Sequence, residues 1–244
     1  MRGLGTVVNM VAIVTGAAIG LSVRGGLGQR FQETIMKAMG LAVLFIGISG
    51  TLQGMLRVNG NRIESVNVML MIISLALGAF FGEVINIEAR LEQLGERIKR
   101  AMKISEDRNQ SFVEGFVTSS LLFCIGAMAI IGALQDGLTG DASMLFAKSL
   151  IDGITAIFFA STLGTGVFFS AIPVGLYQGM ITGSAAFVGP YLSDRLITNI
   201  SFIGSILIFG IGINMLFGKK MKCGNLLPAV FIPIVYEVIQ NLIK

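Results

Sequence analysis

Lys148 and Asp152 stand four residues apart in LFAKSLIDGITAIFF, Leu145 to Phe159, a stretch otherwise apolar enough to enter lipid. Positions i and i+4 share a helix face, so the ammonium and the carboxylate can meet. With a span starting near Met144, Asp152 lies about 12 Å along the axis at 1.5 Å per residue, close to the bilayer middle. A carboxylate at that depth is costly unless it faces protein or water, which makes it a candidate ligand for a cation, a proton or an amine. Lys148 is shallower and can pair with Asp152 or snorkel to the surface.

Other polar residues fall inside apolar runs. Gln178 sits near the middle of Thr165–Val188, five residues after Pro173. A proline inside a helix removes a hydrogen bond and can break it, and broken helices line the midplane sites of many transporters. Thr15 and Asn9 lie within Leu4–Val23. Asp152, Gln178, Pro173, Thr15 and Asn9 are therefore the candidate substrate or ion pathway. Lys148, Glu83 and Glu114 are candidate charge partners, and the two glutamates read foremost as interfacial anchors beside nearby lysines and arginines. Pro228 and Pro233 fall in the last apolar run, where Pro228 also suits a first helical turn.

Much chemistry is excluded. The chain has no histidine, so histidine acid–base catalysis and histidine-ligated metals are absent. Cys124 and Cys223 are far apart in or beside apolar segments and read as free thiols; no CxxC pair occurs. No HExxH, paired-aspartate motif or nucleophile–base set appears. The expectation is a protein that is not an enzyme and takes no cofactor and no metal.

The elements that must position these residues follow from composition. Of 244 residues, 54% are hydrophobic and 13% charged, against about 25% charged in soluble domains. The mean hydropathy is +0.82. Lipid must be the main solvent. The net charge of +4 reads as membrane orientation rather than nucleic-acid binding, because the basic residues cluster beside apolar segments.

Runs of about 20 apolar residues span a bilayer. Eight are present: Leu4–Val23, Ile35–Met55, Val66–Ile87, Phe112–Leu134, Met144–Leu163, Thr165–Val188, Leu196–Phe217 and Asn225–Leu242. The fifth and sixth are separated only by STLGTG, so seven spans with a re-entrant piece is the alternative. The predicted fold is an all-α polytopic transmembrane bundle forming a single domain over residues 1–244. Eight spans place three basic stretches on one side: Arg24, Arg30 and Lys37; Arg90, Arg97, Lys99, Arg100, Lys103 and Arg108; and Lys219, Lys220 and Lys222. The other side carries Asp136 and Asp141 in a loop. The positive-inside rule then puts both termini outside the cytoplasm.

Glu88–Gln110 differs. Leu91, Leu94, Ile98 and Met102 recur at helical spacing among charges, which predicts an amphipathic cytoplasmic helix. Glycines spaced by four, Gly16/Gly20, Gly50/Gly54, Gly78/Gly82 and Gly175/Gly179/Gly183, predict close helix packing rather than a phosphate loop. Glycine spacing also echoes between residues 1–87 and 112–188, which would make an inverted three-plus-three repeat followed by two C-terminal helices.

The amino-terminal GTVVNMVAIVTGAAIGLSVRGGLGQRF and the carboxy-terminal GINMLFGKKMKCGNLLPAVFIPIVY resemble the YqgA/YdfK-like family of uncharacterised bacterial membrane proteins, over nearly the whole length. The resemblance implies a bacterial inner-membrane location and carries over no site residues. The residues themselves predict a transporter of a small solute or ion. A passive channel, built as a homo-oligomer, is the alternative, and a scaffold or sensor using Glu88–Gln110 is a third reading. The expected partners are the lipid bilayer and the small solute or ion.

Overall fold

The computed structural model describes residues 2–102, 109–188 and 193–243. In chain order the elements are α1 (Leu4–Arg24), α2 (Gln29–Met55), the strands β1 (Leu56–Asn59) and β2 (Arg62–Ser65), α3 (Val68–Ile85), α4 (Ile87–Ala101), α5 (Asn109–Cys124), α6 (Ala127–Thr139), α7 (Ser143–Leu163), the short α8 (Gly166–Phe169), α9 (Ala171–Val188), α10 (Asp194–Phe217), a 3₁₀ segment (Cys223–Phe231) and α11 (Ile232–Ile243). Five of them, α1, α2, α3, α7 and α10, are each long and apolar enough to cross a bilayer, and α5 with α6 makes a sixth when the bent pair is one span. The fold is an all-α membrane bundle, as the composition requires. Large apolar side chains such as Phe45, Phe80, Leu150, Leu176 and Phe187 stand exposed, where lipid is their solvent.

The packing divides into two compact units, one of residues 1–39 and 90–191, the other of residues 40–89 and 192–244. The chain passes between them within α2, at the start of α4 and between α9 and α10. These boundaries differ from the repeat units read from glycine spacing.

In the first unit α1 and α7 run parallel and close. Gly5 meets Leu145, Gly16 faces the Gly153 carbonyl and Gly20 faces the Ile157 carbonyl. Glycine is required because a Cβ at either of the last two would land on backbone. Ile13, Ala17, Leu145, Ala156 and Phe159 fill the seam around them and are fully buried. α9 packs on α1 in the opposite sense, with Gly175 against Met10. Gly179 and Gly183, expected to continue that seam, have no described neighbour within 4 Å of a Cβ position. The spacing reveals a small-residue stripe but not how far a partner helix follows it.

Two breaks interrupt this unit. Gly126, at φ 137°, separates α5 from α6, which bend by 61°. Gly164, at φ 85°, ends α7, and α8 and α9 follow as separate pieces. Pro173 does not make that break. It is the third residue of α9, in the first turn, where a missing N–H costs little. Pro233 is likewise the second residue of α11, and Pro228 lies within the 3₁₀ segment.

Asp136 is not a loop residue. It lies in α6, fully buried, and its two oxygens accept from the backbone N–H groups of Gly3 (3.0 Å) and Gly5 (2.9 Å). A helix start has unsatisfied donors and a positive dipole end, and a carboxylate from another helix answers both. Asp136→Ala should lower stability by about 2 kcal/mol or more, since bonds to a charged acceptor are lost at a buried helix end. Thermal unfolding measures this, and an unchanged midpoint would rule out the cap. Asp141, further out, accepts from the Ser143 amide at 3.0 Å. The Ser143 hydroxyl and amide hold its carboxyl below the usual range.

In the second unit α2 packs antiparallel to α10 through Gly40, Gly47, Gly50 and Gly54 against Leu216, Phe209, Ser205 and Phe202. α3 packs on the 3₁₀ segment in the same way, with Gly78 against Ala229 and Gly82 against the Asn225 carbonyl. Asn86, at φ 54°, ends α3 and lets α4 leave in a new direction. A polar cluster locks this corner. The Glu88 carboxylate takes Lys219 at 2.7 Å and the Gly224 N–H at 2.9 Å. The Glu88 N–H donates to Asn225 Oδ1 at 2.8 Å. Asn214 holds the adjoining turn, accepting from the Lys220 and Met221 N–H groups and donating to the Met221 carbonyl.

α4 occupies Ile87–Ala101 of the stretch read as an amphipathic helix, and residues 103–108 lie outside the described residues. Leu94 and Met102 are exposed. The hairpin of β1 and β2 was not anticipated. Leu56 pairs with Ser65 and Asn59 with Arg62, around Gly60 at φ 59°. The signal was the NG dipeptide between short polar–apolar runs.

Candidate functional site

α1, α7 and α9 bring three of the five pathway residues together. Asn9 on α1 and Gln178 on α9 are fully buried, and Asp152 and Lys148 on α7 nearly so. Lys148 Nζ lies 2.6 Å from Asp152 Oδ2. Asn9 Nδ2 donates to the same oxygen at 3.1 Å and to Gln178 Oε1 at 3.2 Å. Lys148 therefore turns inward to the carboxylate rather than snorkelling outward.

The close seam of α1 and α7 is what allows this. Glycines at 16 and 20 bring the backbones near enough for an asparagine on one helix to reach an aspartate on the other. The Met10–Gly175 contact draws α9 in and presents Gln178 to Asn9.

The cluster is incomplete as a hydrogen-bonded set. Among the described residues, Asn9 Oδ1 and Gln178 Nε2 are buried with no partner, as is Thr6 Oγ1 one turn before Asn9. Asp152 Oδ1 accepts no bond from them either; both contacts go to Oδ2. A buried orphan polar atom costs about 1–3 kcal/mol. Asn9 and Gln178 thus keep one open acceptor and one open donor in the hydrogen-bonded set around a buried ion pair.

The remaining expected residues lie elsewhere. Thr15 is exposed. Six residues at about 100° each turn it well away from Asn9 on the helix surface, so one helix cannot present both to the same site. Pro173 heads α9 a turn and more before Gln178 and positions that helix without joining the cluster. Glu83 lies in the second unit and binds Lys222 Nζ and Asn225 Nδ2, each at 2.6 Å. Glu114 lies on the exposed side of α5. No group of three or more His, Cys, Asp or Glu that could hold a metal occurs among the described residues.

Residues 4–238 match the family described as Protein of unknown function (DUF554). The chain belongs to this family. This DUF554 chain is 35% identical over 229 residues to Uncharacterized membrane protein YdfK of Bacillus subtilis (strain 168), covering 94% of this chain and 93% of that one. It is 29% identical over 231 residues to Uncharacterized protein YqgA of Escherichia coli (strain K12), covering 94% of each. No solved structure matches. The resemblance carried by the two end motifs is thus shown, and with the apolar helices it makes this DUF554 chain a multi-pass membrane protein.

Two further residues lie near the cluster, Cys124, legible in the sequence only as a free thiol, and Tyr177. Cys124 ends α5 at the Gly126 break. Tyr177 is next to Gln178 on α9. Both cysteines are free thiols. The available signal was the glycine two residues after Cys124, where a helix would break.

Proposed function

We propose that this protein moves a small solute or ion across the bacterial inner membrane, with both termini outside the cytoplasm. The observation that carries the reading is the buried Lys148–Asp152 pair, whose bonds all go to Asp152 Oδ2, with the unpartnered Asn9 Oδ1 beside it. An ion pair at that depth is costly, and a purely structural one would leave no orphan atoms around it. The open acceptor beside the carboxylate suits a small cation, a protonated amine or a proton. The open amide of Gln178 suits a single acceptor on the same solute.

Transport needs the site to open alternately to the two sides. The bend at Gly126 and the break at Gly164–Ser170 supply hinges in the unit that holds the cluster. Neither hinge requires the α1–α7 seam to part. The reading includes no catalysis and no cofactor.

The test is flux in proteoliposomes, followed with pH-sensitive and potential-sensitive dyes under imposed ion gradients. The parent should give saturable flux, and Asp152→Asn, close in size and still able to hydrogen-bond Asn9, should reduce it at least tenfold while retaining helical content. Equal flux from a folded Asp152→Asn protein overturns the proposal. Unitary currents in planar bilayers would select a channel instead of a carrier.

A further inference from the structure

Besides Arg2 near the amino terminus, three arginines stand apart from the twelve basic residues that cluster on one side of the chain. Arg57 and Arg62 lie on the hairpin and Arg195 in the first turn of α10, at the end of the second unit opposite Lys219–Lys222. The positive-inside rule gives no reason for them there. Two of the three line one cavity.

The cavity has a volume of about 590 Å³ and is bordered by Gln53, Arg57, Asn67, Arg195, Thr198 and Asn199. That size belongs to sites for small organic molecules, about 300–1,000 Å³, and exceeds what a bare ion needs. Among the described residues neither guanidinium has an ion-pair partner. Glu64, opposite Arg57 in the ladder, accepts instead from Asn59 at 3.3 Å. Asp194, next to Arg195, makes no ion pair with a described residue.

The walls are built rather than incidental. Asn199 is 4% exposed. Its Oδ1 accepts from Asn67 Nδ2 at 3.4 Å, and its own amide N–H groups make no bond to any described residue. Asn67 is one of two non-glycine residues with positive φ among those described, at 61°, a conformation that costs energy and concentrates at ligand sites. Its side chain also donates to the Gly54 carbonyl at 3.0 Å, and the Val66 N–H donates to the Met55 carbonyl at 2.7 Å. Two of the carbonyls ending α2, those of Gly54 and Met55, are thereby occupied. The start of α10, whose dipole favours an anion, faces the same cavity through Arg195, Thr198 and Asn199.

We infer that this cavity binds a phosphate group, held by the forks of Arg57 and Arg195 and the amide of Asn199. Two unpaired guanidiniums match the charge of a phosphate monoester, about −1.5 to −2 at neutral pH, and each fork suits its oxygens. The group can come from a soluble phosphomonoester, which matches both charges, or from the singly charged phosphodiester of an anionic lipid headgroup at this end of the second unit. The inference is independent of the Asp152 site and of any transport.

The test uses the full chain. Isothermal titration in detergent with glycerol 3-phosphate covers the soluble source. Thermal unfolding in phosphatidylcholine nanodiscs with and without phosphatidylglycerol covers the lipid source. The variants are Arg57→Gln, Arg195→Gln and both together; each changes an exposed side chain, and circular dichroism checks the fold. Each single variant should weaken binding about tenfold, the loss of one charge-assisted contact, and the pair should abolish it, while Asp152→Asn binds normally. Heat on titration identifies the soluble source, and stabilisation confined to phosphatidylglycerol identifies the headgroup. The inference is overturned by no response to either probe, by binding that survives the double variant, or by succinate binding as tightly as glycerol 3-phosphate.

Discussion

Asp152→Leu with Lys148 left in place should destabilise the protein by about 3–5 kcal/mol, the usual consequence of removing one member of a buried ion pair. The lysine would remain at 7% exposure with no countercharge, and Asn9 would lose its acceptor. The double replacement Lys148→Met with Asp152→Leu should recover most of that loss, because a well-packed apolar pair of similar volume often equals or exceeds a buried salt bridge. Flux should be absent in both variants. The double variant thereby separates the two roles: stable but silent if Asp152 serves the solute, stable and active if the pair serves only the fold. A single variant as stable as the parent would mean that Lys148 reaches water, contrary to its burial. Thermal or denaturant unfolding in mixed micelles reads the stability term.

Gly16→Ala should cost about 3 kcal/mol, at the upper end of overpacking penalties, and Gly179→Ala should cost nothing or stabilise by about 0.5–1 kcal/mol, the gain expected for alanine over glycine within a helix. Both are glycines at helix interiors in stripes spaced by four. They differ in what a Cβ would meet. At Gly16 it meets the Gly153 carbonyl, which is backbone and can yield only if α1 moves away from α7; at Gly179 it meets open space. Moving α1 would also withdraw Asn9 from Asp152, so Gly16→Ala should lower flux even at temperatures where the protein remains folded. Equal midpoints for the two alanine variants would refute the seam.

Composition and periodicity carried the broad reading well. A chain with half the usual charge has to be membrane-embedded, and helices are the structure that satisfies its backbone there. Asp152, Gln178 and Asn9 could be singled out because a polar group in an apolar run is expensive enough to require a reason. Gly16/Gly20, Gly50/Gly54 and Gly78/Gly82 were legible as packing positions for the same energetic reason. Proline misled. Pro173 was read as a break, whereas its φ and missing N–H suit a first turn equally well, and only the helix start tells the two apart. Thr15 shares the apolar run of Asn9, but the angle around the axis of α1 turns it away from the cluster.

Sequence alone determined the solvent of this protein, its helical class, its family and the residues too polar for lipid. Each of these depends on residue type and local spacing, which a chain carries with it in any fold. The tertiary structure decided which of those residues meet: that Lys148 turns inward, that Asp136 caps a helix more than a hundred positions away, that Asn9 and Gln178 leave one acceptor and one donor unpaired, and that Arg57 and Arg195 share a cavity. Such pairings depend on which helix faces which and at what rotation. Those are set by the summed fit of many glycine-lined contacts, and no single segment encodes that sum.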